Sequence, residues 1–67
     1  MKKNQWINIE IDSPKETVPH LLEIENYKYN IIYISRGYKI GNLWFFSNGV
    51  PMGMDNQVLR WQGFKGE

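Results

Sequence analysis

Six residues of this chain have side chains suited to holding a ligand: Arg36, Tyr38, Lys39, Trp44, Arg60 and Trp61. Cations interleave with aromatic rings, and the two kinds of group do complementary work. An aromatic face stacks on a nucleobase for about 1 to 3 kcal/mol, while a guanidinium offers paired donors to phosphate oxygens. Gly37 separates Arg36 from Tyr38. A bulge at that glycine turns both side chains toward one opening, and Arg60 joins them if the last strand pairs near the central one. Each residue also has a purely structural use. Trp44 and Trp61 supply area that a small core needs, and Arg36 and Arg60 fit an outer sheet face with their stems packed on rings.

Catalysis has less support. His20 is the single histidine and the one candidate general base near neutral pH, cysteine is absent, and no serine lies in a nucleophile motif. The carboxylates Glu10, Asp12, Glu16, Glu23 and Glu25 fall mostly on solvent faces of the alternating runs. One imidazole without thiolates makes a poor metal constellation. Gly37, Gly41, Gly49 and Gly53 form neither a dinucleotide fingerprint nor a phosphate loop. A protein with no catalytic residues, no metal and no cofactor is expected.

The elements that position these side chains read as strands. Trp6 to Ile11 alternates, with Ile7, Ile9 and Ile11 on one side. Ser13, Pro14 and Glu16 follow in the order of an N-cap, a first-turn proline and a capping-box acid, which predicts one short helical turn. Pro19 and the β-branched Thr17 and Val18 keep it short. His20 to Glu25 alternates again, and Asn26 to Asn30 is its turn. Ile31 to Arg36 is β-branched and aromatic, which suits the middle of a sheet. Gly37 then marks a bulge or the close approach of another backbone or ligand, with Tyr38 to Ile40 continuing beyond it. Gly41-Asn42 is a two-residue hairpin signal ahead of Leu43 to Ser47. Asn48 to Asn56 is the longest loop, and Gln57 to Gln62 resumes alternation with Val58 on the face of Arg60 and Leu59 on that of Trp61. The expected fold is all-β: five short antiparallel strands in a small barrel or curved meander.

At 67 residues there is room for one domain with one core. A chain this short buries only about 60% of its unfolded surface, so self-association is an expected source of added stability. Met52 and Met54 around Gly53, with Val50, Phe45 and Phe46, offer an adaptable apolar surface for a second copy or another protein. Eight basic against seven acidic residues argue against duplex DNA as a partner, and no apolar run is long enough to span a bilayer. With no cysteine and no export signal, a cytoplasmic location is expected.

Trp6-Ile7, Pro14, Glu16, Gly37-Tyr38, Leu43-Trp44 and Arg60-Trp61 together resemble a family of small uncharacterised bacteriophage and prophage proteins, over nearly the whole chain. The family tends to carry Thr-His before its last tryptophan and prolines after it, where this chain has Leu59-Arg60 and Gln62-Gly63. The resemblance implies a compact β fold, a phage context inside an infected bacterial host, and no reaction. Small accessory proteins in that setting often inhibit or sequester something of the host. The leading expectation is a non-enzymatic protein that sequesters a small anionic ligand, such as a cyclic nucleotide immune signal, as a homo-oligomer. The alternative is direct protein-protein inhibition of a host enzyme or regulator through the apolar loop and the Phe45-Phe46 surface.

Overall fold

Leu22 and Ile24 are fully buried, and their spacing of two decides which face of the sheet is the core. The computed structural model describes residues 4–64 and shows β1 (Asn4–Asn8), β2 (His20–Asn26), β3 (Ile31–Ile40), β4 (Leu43–Phe46) and β5 (Asn56–Phe64). They form one antiparallel sheet in the order β1-β5-β2-β3-β4. The expected five-stranded all-β architecture is therefore present. The sheet is open: β1 and β4 are its edges, and no ladder joins them among the described residues.

The inner face carries Leu22, Ile24, Val58 and Trp61, with Ile7, Ile9, Tyr33, Trp44, Phe46 and Met52 packed against them. Cross-strand pairs place Ile24 beside Tyr33 and Val58, and Trp61 between Leu22 and Ile7. The other face, called the outer face below, carries Leu21, Glu23 and Glu25 of β2 and Ile32, Ile34, Arg36, Tyr38 and Ile40 of β3.

β1 ends at Asn8, short of the expected Ile11, which lies in a turn and is exposed, and three further local features differ from the sequence expectation. The bulge lies in β5, where the register shifts between Glu23↔Arg60 and Ile24↔Val58 and leaves Leu59 as the extra residue. Val58 and Trp61, three apart, consequently share the core, which overturns the grouping of Val58 with Arg60 and of Leu59 with Trp61. β3 runs through Gly37 in unbroken register with His20 and Phe46, so Gly37 serves the other purpose expected of it, the close approach of a neighbouring backbone. A Cβ there would stand 2.5 Å from the Phe45 carbonyl oxygen.

The last of these is the segment between β1 and β2. No helix occurs among the described residues. Pro14 is buried, Thr17 takes a φ of 68°, and the polar groups expected to cap a turn bond across to the β3-β4 hairpin instead. The Glu16 carboxylate accepts from the Gly41 N–H, the Thr17 N–H donates to the Lys39 carbonyl at 2.9 Å, and Lys39 Nζ donates to Ser13 Oγ at 2.9 Å. The Trp61 indole Nε1 donates to the Asp12 carbonyl at 2.9 Å. Residues 12 to 17 thus form a strap tied to β5 at one end and to the hairpin at the other. The Gly41-Asn42 hairpin is formed as expected, with Ile40 opposite Leu43 and Gly41 at φ 60°, the positive φ that the first position of a type II′ turn requires.

Tyr33 gives the core a pH dependence. Its hydroxyl donates to Asn56 Oδ1 at 3.0 Å, and burial raises its pKa above the ordinary tyrosine value. Burial disfavours the charged phenolate, so the stabilisation is complete below the ordinary value and is lost as pH rises through the higher folded value. Urea denaturation from neutral pH to roughly pH 11 is expected to show an alkaline loss of stability that shrinks in Tyr33→Phe. Equal losses in both proteins would contradict this assignment.

Candidate binding surface

Strand alternation and the β5 bulge sort the six cation and aromatic residues onto two faces. Trp61 is buried, held by its bond to Asp12 and by an edge-on contact with His20 at 4.9 Å between ring centres. Trp44 is half-buried and packs on the core, with Lys39 Nζ 5.8 Å from its ring centre. Lys39 also carries the hydrogen bond to Ser13 that holds the strap. These three residues face inward and have structural partners.

Arg36, Tyr38 and Arg60 lie on the outer face. Arg60 directly opposes Glu23 and forms a two-pronged pair with it, Nε to Oε1 at 3.0 Å and Nη2 to Oε2 at 2.7 Å. The pair raises the Arg60 pKa further above its usual value, first through the hydrogen bond and then through the charge of Glu23. Its guanidinium also sits 6.0 Å from the centre of the Trp6 ring. β5 pairs with β2 and not with β3, so Arg60 and Arg36 are two strands and two residues apart, about 12 Å between Cα positions at ordinary sheet spacings. Arg36 is exposed and makes no ion pair among the described residues. Its cross-strand neighbour is Leu21. Tyr38 stacks on Phe45 with ring centres 5.5 Å apart and planes 14° from parallel.

An open depression of about 430 Å³ lies beside the β5 bulge and is lined in part by Ile9, Glu10, Glu23, Leu59 and Arg60. Two carboxylates against one guanidinium, itself engaged with Glu23, leave it unsuited to an anion. Among the described residues no three His, Asp or Glu side chains gather as a metal would need, and no helix is long and apolar enough to cross a membrane.

The largest unexplained feature of this face is apolar. Along β3 the outer face exposes Ile32 (60%), Ile34 (58%) and Ile40 (46%), and beside Ile40 on β4 it exposes Leu43 (65%). Pro51 bridges Phe45 on the far side of β4 and is also exposed. Arg36 divides the stripe into a central half, with Leu21, Ile32 and Ile34, and a hairpin half, with Tyr38, Ile40, Leu43, Phe45 and Pro51. The central half was hidden in the sequence because a wholly apolar strand reads as buried on both faces, whereas β3 is covered on one. No protein family, curated protein or solved structure matches this chain.

Proposed function

We propose that the chain is a non-enzymatic binding protein of phage type that occupies a surface of a host protein through the hairpin half of its outer face. The observation that supports this reading is the division of the cation set: Lys39 faces inward while Arg36 and Arg60 face outward, Arg60 already neutralised. In contrast, Tyr38, Ile40, Leu43, Phe45 and Pro51 adjoin one another on the outer face. The polar residues Arg36, Asn42 and Ser47 border them, the arrangement of an apolar contact centre with a polar rim. Val50 and Met54, both exposed, belong to the loop that follows β4.

The test is affinity capture from the bacterial host with the full chain as bait, followed by direct binding of the recovered protein to purified variants. Ile40→Glu and Leu43→Glu are expected to weaken that binding by tenfold or more, an effect of about 1.4 kcal/mol or above. Glu10→Gln, on the exposed β1 turn, is expected to leave it unchanged. A partner held equally well by all three variants would refute the assignment.

A second reading, sequestration of a small phosphate-bearing anion such as a cyclic nucleotide within a homo-oligomer, is favoured by one observation. Arg36 presents an exposed guanidinium without an ion pair among the described residues, on the same face as Tyr38. Calorimetry against cyclic mono-, di- and trinucleotides, repeated with Arg36→Ala, separates the two. Heat that disappears in the variant supports ligand capture. No heat for any nucleotide leaves the protein-binding reading alone.

A further inference from the structure

The central half of the outer face has a charge pattern that fits its own copy. Ile34 opposes Glu23, Ile32 opposes Glu25, and Arg36 opposes Leu21. A cation therefore stands at one end of the patch and an anion at the other, four residues apart along the ladder or about 13 Å, with isoleucines between them. Neither Arg36 nor Glu25 makes an ion pair among the described residues. A solvated strand has no need of Ile32 and Ile34 at outward positions, where a polar residue serves as well. A patch with opposite charges at its two ends is self-complementary under a two-fold rotation.

We infer that two copies of this chain pack outer face to outer face about a two-fold axis that lies in the contact plane and crosses the strands at Ile34. The rotation reverses strand direction, so the row holding Leu21 and Arg36 lies over the partner's row of Glu25 and Ile32. Arg36 then reaches the partner's Glu25, one strand spacing of about 4.8 Å to the side. Leu21 is offset by the same spacing from the partner's Ile32, and Ile34 meets the partner's Ile34 on the axis. Two like-charge encounters result, Glu23 near the partner's Glu23 and, on the same row, Arg60 near the partner's Arg60. Each of these carboxylates is already neutralised in its own chain by Arg60. That pairing removes the main electrostatic obstacle to the arrangement, while the apolar centre supplies affinity and the Arg36–Glu25 pairs set the register.

The area required is modest. A specific interface at the small end takes about 600 Å² from each copy, roughly an eighth of the 5012 Å² surface. Tyr38 lies two residues beyond Arg36, outside the rows that overlap, so the hairpin half stays open. The dimer and the host-protein reading share only Arg36, at the border between the two halves, and their deciding variants, Ile34→Lys against Ile40→Glu and Leu43→Glu, differ, so they fail separately.

Sedimentation equilibrium of the full chain from micromolar to millimolar concentration tests the dimer. The wild type is expected to show a monomer–dimer equilibrium that Ile34→Lys abolishes. Arg36→Glu and Glu25→Arg are each expected to weaken dimerisation about tenfold, and the double reversal to return it to within about threefold of wild type, the non-additivity expected of a directly interacting pair. Circular dichroism of each variant at low concentration verifies the fold. A wild type that stays monomeric throughout, a dimer indifferent to Ile34→Lys, or charge reversals whose effects add in the double variant would each overturn the inference.

Discussion

Gly37→Ala is expected to cost about 3 kcal/mol or more, the upper end of the range for overpacked interiors. A Cβ at this position meets the Phe45 carbonyl oxygen at 2.5 Å, Leu22 Cδ1 at 2.9 Å and Met52 Cε at 3.1 Å. The methionine end is flexible and yields. The carbonyl belongs to β4, paired with β3 on either side of the contact, and Leu22 is fully buried, so neither retreats without moving the ladder or the core. A domain of this length has roughly 3 to 10 kcal/mol of stability in total, so the variant loses a large part of it. Urea denaturation followed by circular dichroism measures the loss, with two glycines as references. Gly53→Ala meets nothing within 4 Å and is expected to be neutral or stabilising by up to about 1 kcal/mol. Gly41→Ala also meets nothing, but its φ of 60° costs about 1 kcal/mol. A Gly37→Ala protein as stable as Gly53→Ala would contradict the close approach of β4.

Trp61→Ala is expected to cost about 3 to 5 kcal/mol, the range for large aromatic truncations in cores, and to leave much of the population unfolded. The indole lies between Leu22 and Ile7 on adjacent strands, touches His20 edge-on, and anchors the strap through its bond to the Asp12 carbonyl. Gly63 permits this placement, since a Cβ there would overlap the ring. Trp61→Phe keeps part of the area and loses the indole bond, and it is expected to fall between wild type and alanine. Leu59→Ala is the informative comparison. In a regular strand Leu59 shares the face of Trp61 and its truncation costs as much as a core leucine, 2 to 5 kcal/mol or about that. As the bulge residue, Leu59 is only half-buried, and the expected cost is about 1 kcal/mol. Equal losses for Leu59→Ala and Val58→Ala would contradict the bulge.

How much of the outer face was visible in advance depended on the strand. β2 was legible because Leu22 and Ile24 alternate with Glu23 and Glu25, and a carboxylate on every second residue leaves one way to turn the strand. β3 was not, because Ile31 to Ile34 offers apolar side chains to both faces and gives no phase. Its exposed half becomes identifiable only when the pairing Ile24↔Tyr33 assigns Tyr33 to the core and sends Ile32 and Ile34 outward. The cation set was misleading for a related reason. Arg36 and Tyr38, two apart, share the outer face by ordinary alternation and need no bulge at Gly37 to do so, whereas Lys39, next to Tyr38, points to the opposite face and turns inward to Ser13 and Trp44.

The sequence alone determined what local chemistry determines: five strands and their approximate limits, the Gly41-Asn42 hairpin, and at Gly37 a choice between a bulge and a close approach. Alternation, positive φ and a missing Cβ act within a few residues and do not depend on which strands become neighbours. The tertiary structure decided the rest. A period of two reports which residues share a face and not which face is buried, and a single extra residue at Leu59 inverts the phase for everything after it. The placement of β5 beside β2, the pairing of Arg60 with Glu23, and the meeting of the strap with the hairpin join residues 25 to 49 positions apart. Contacts at that separation follow from how the whole sheet covers Leu22 and Ile24, which no local pattern encodes.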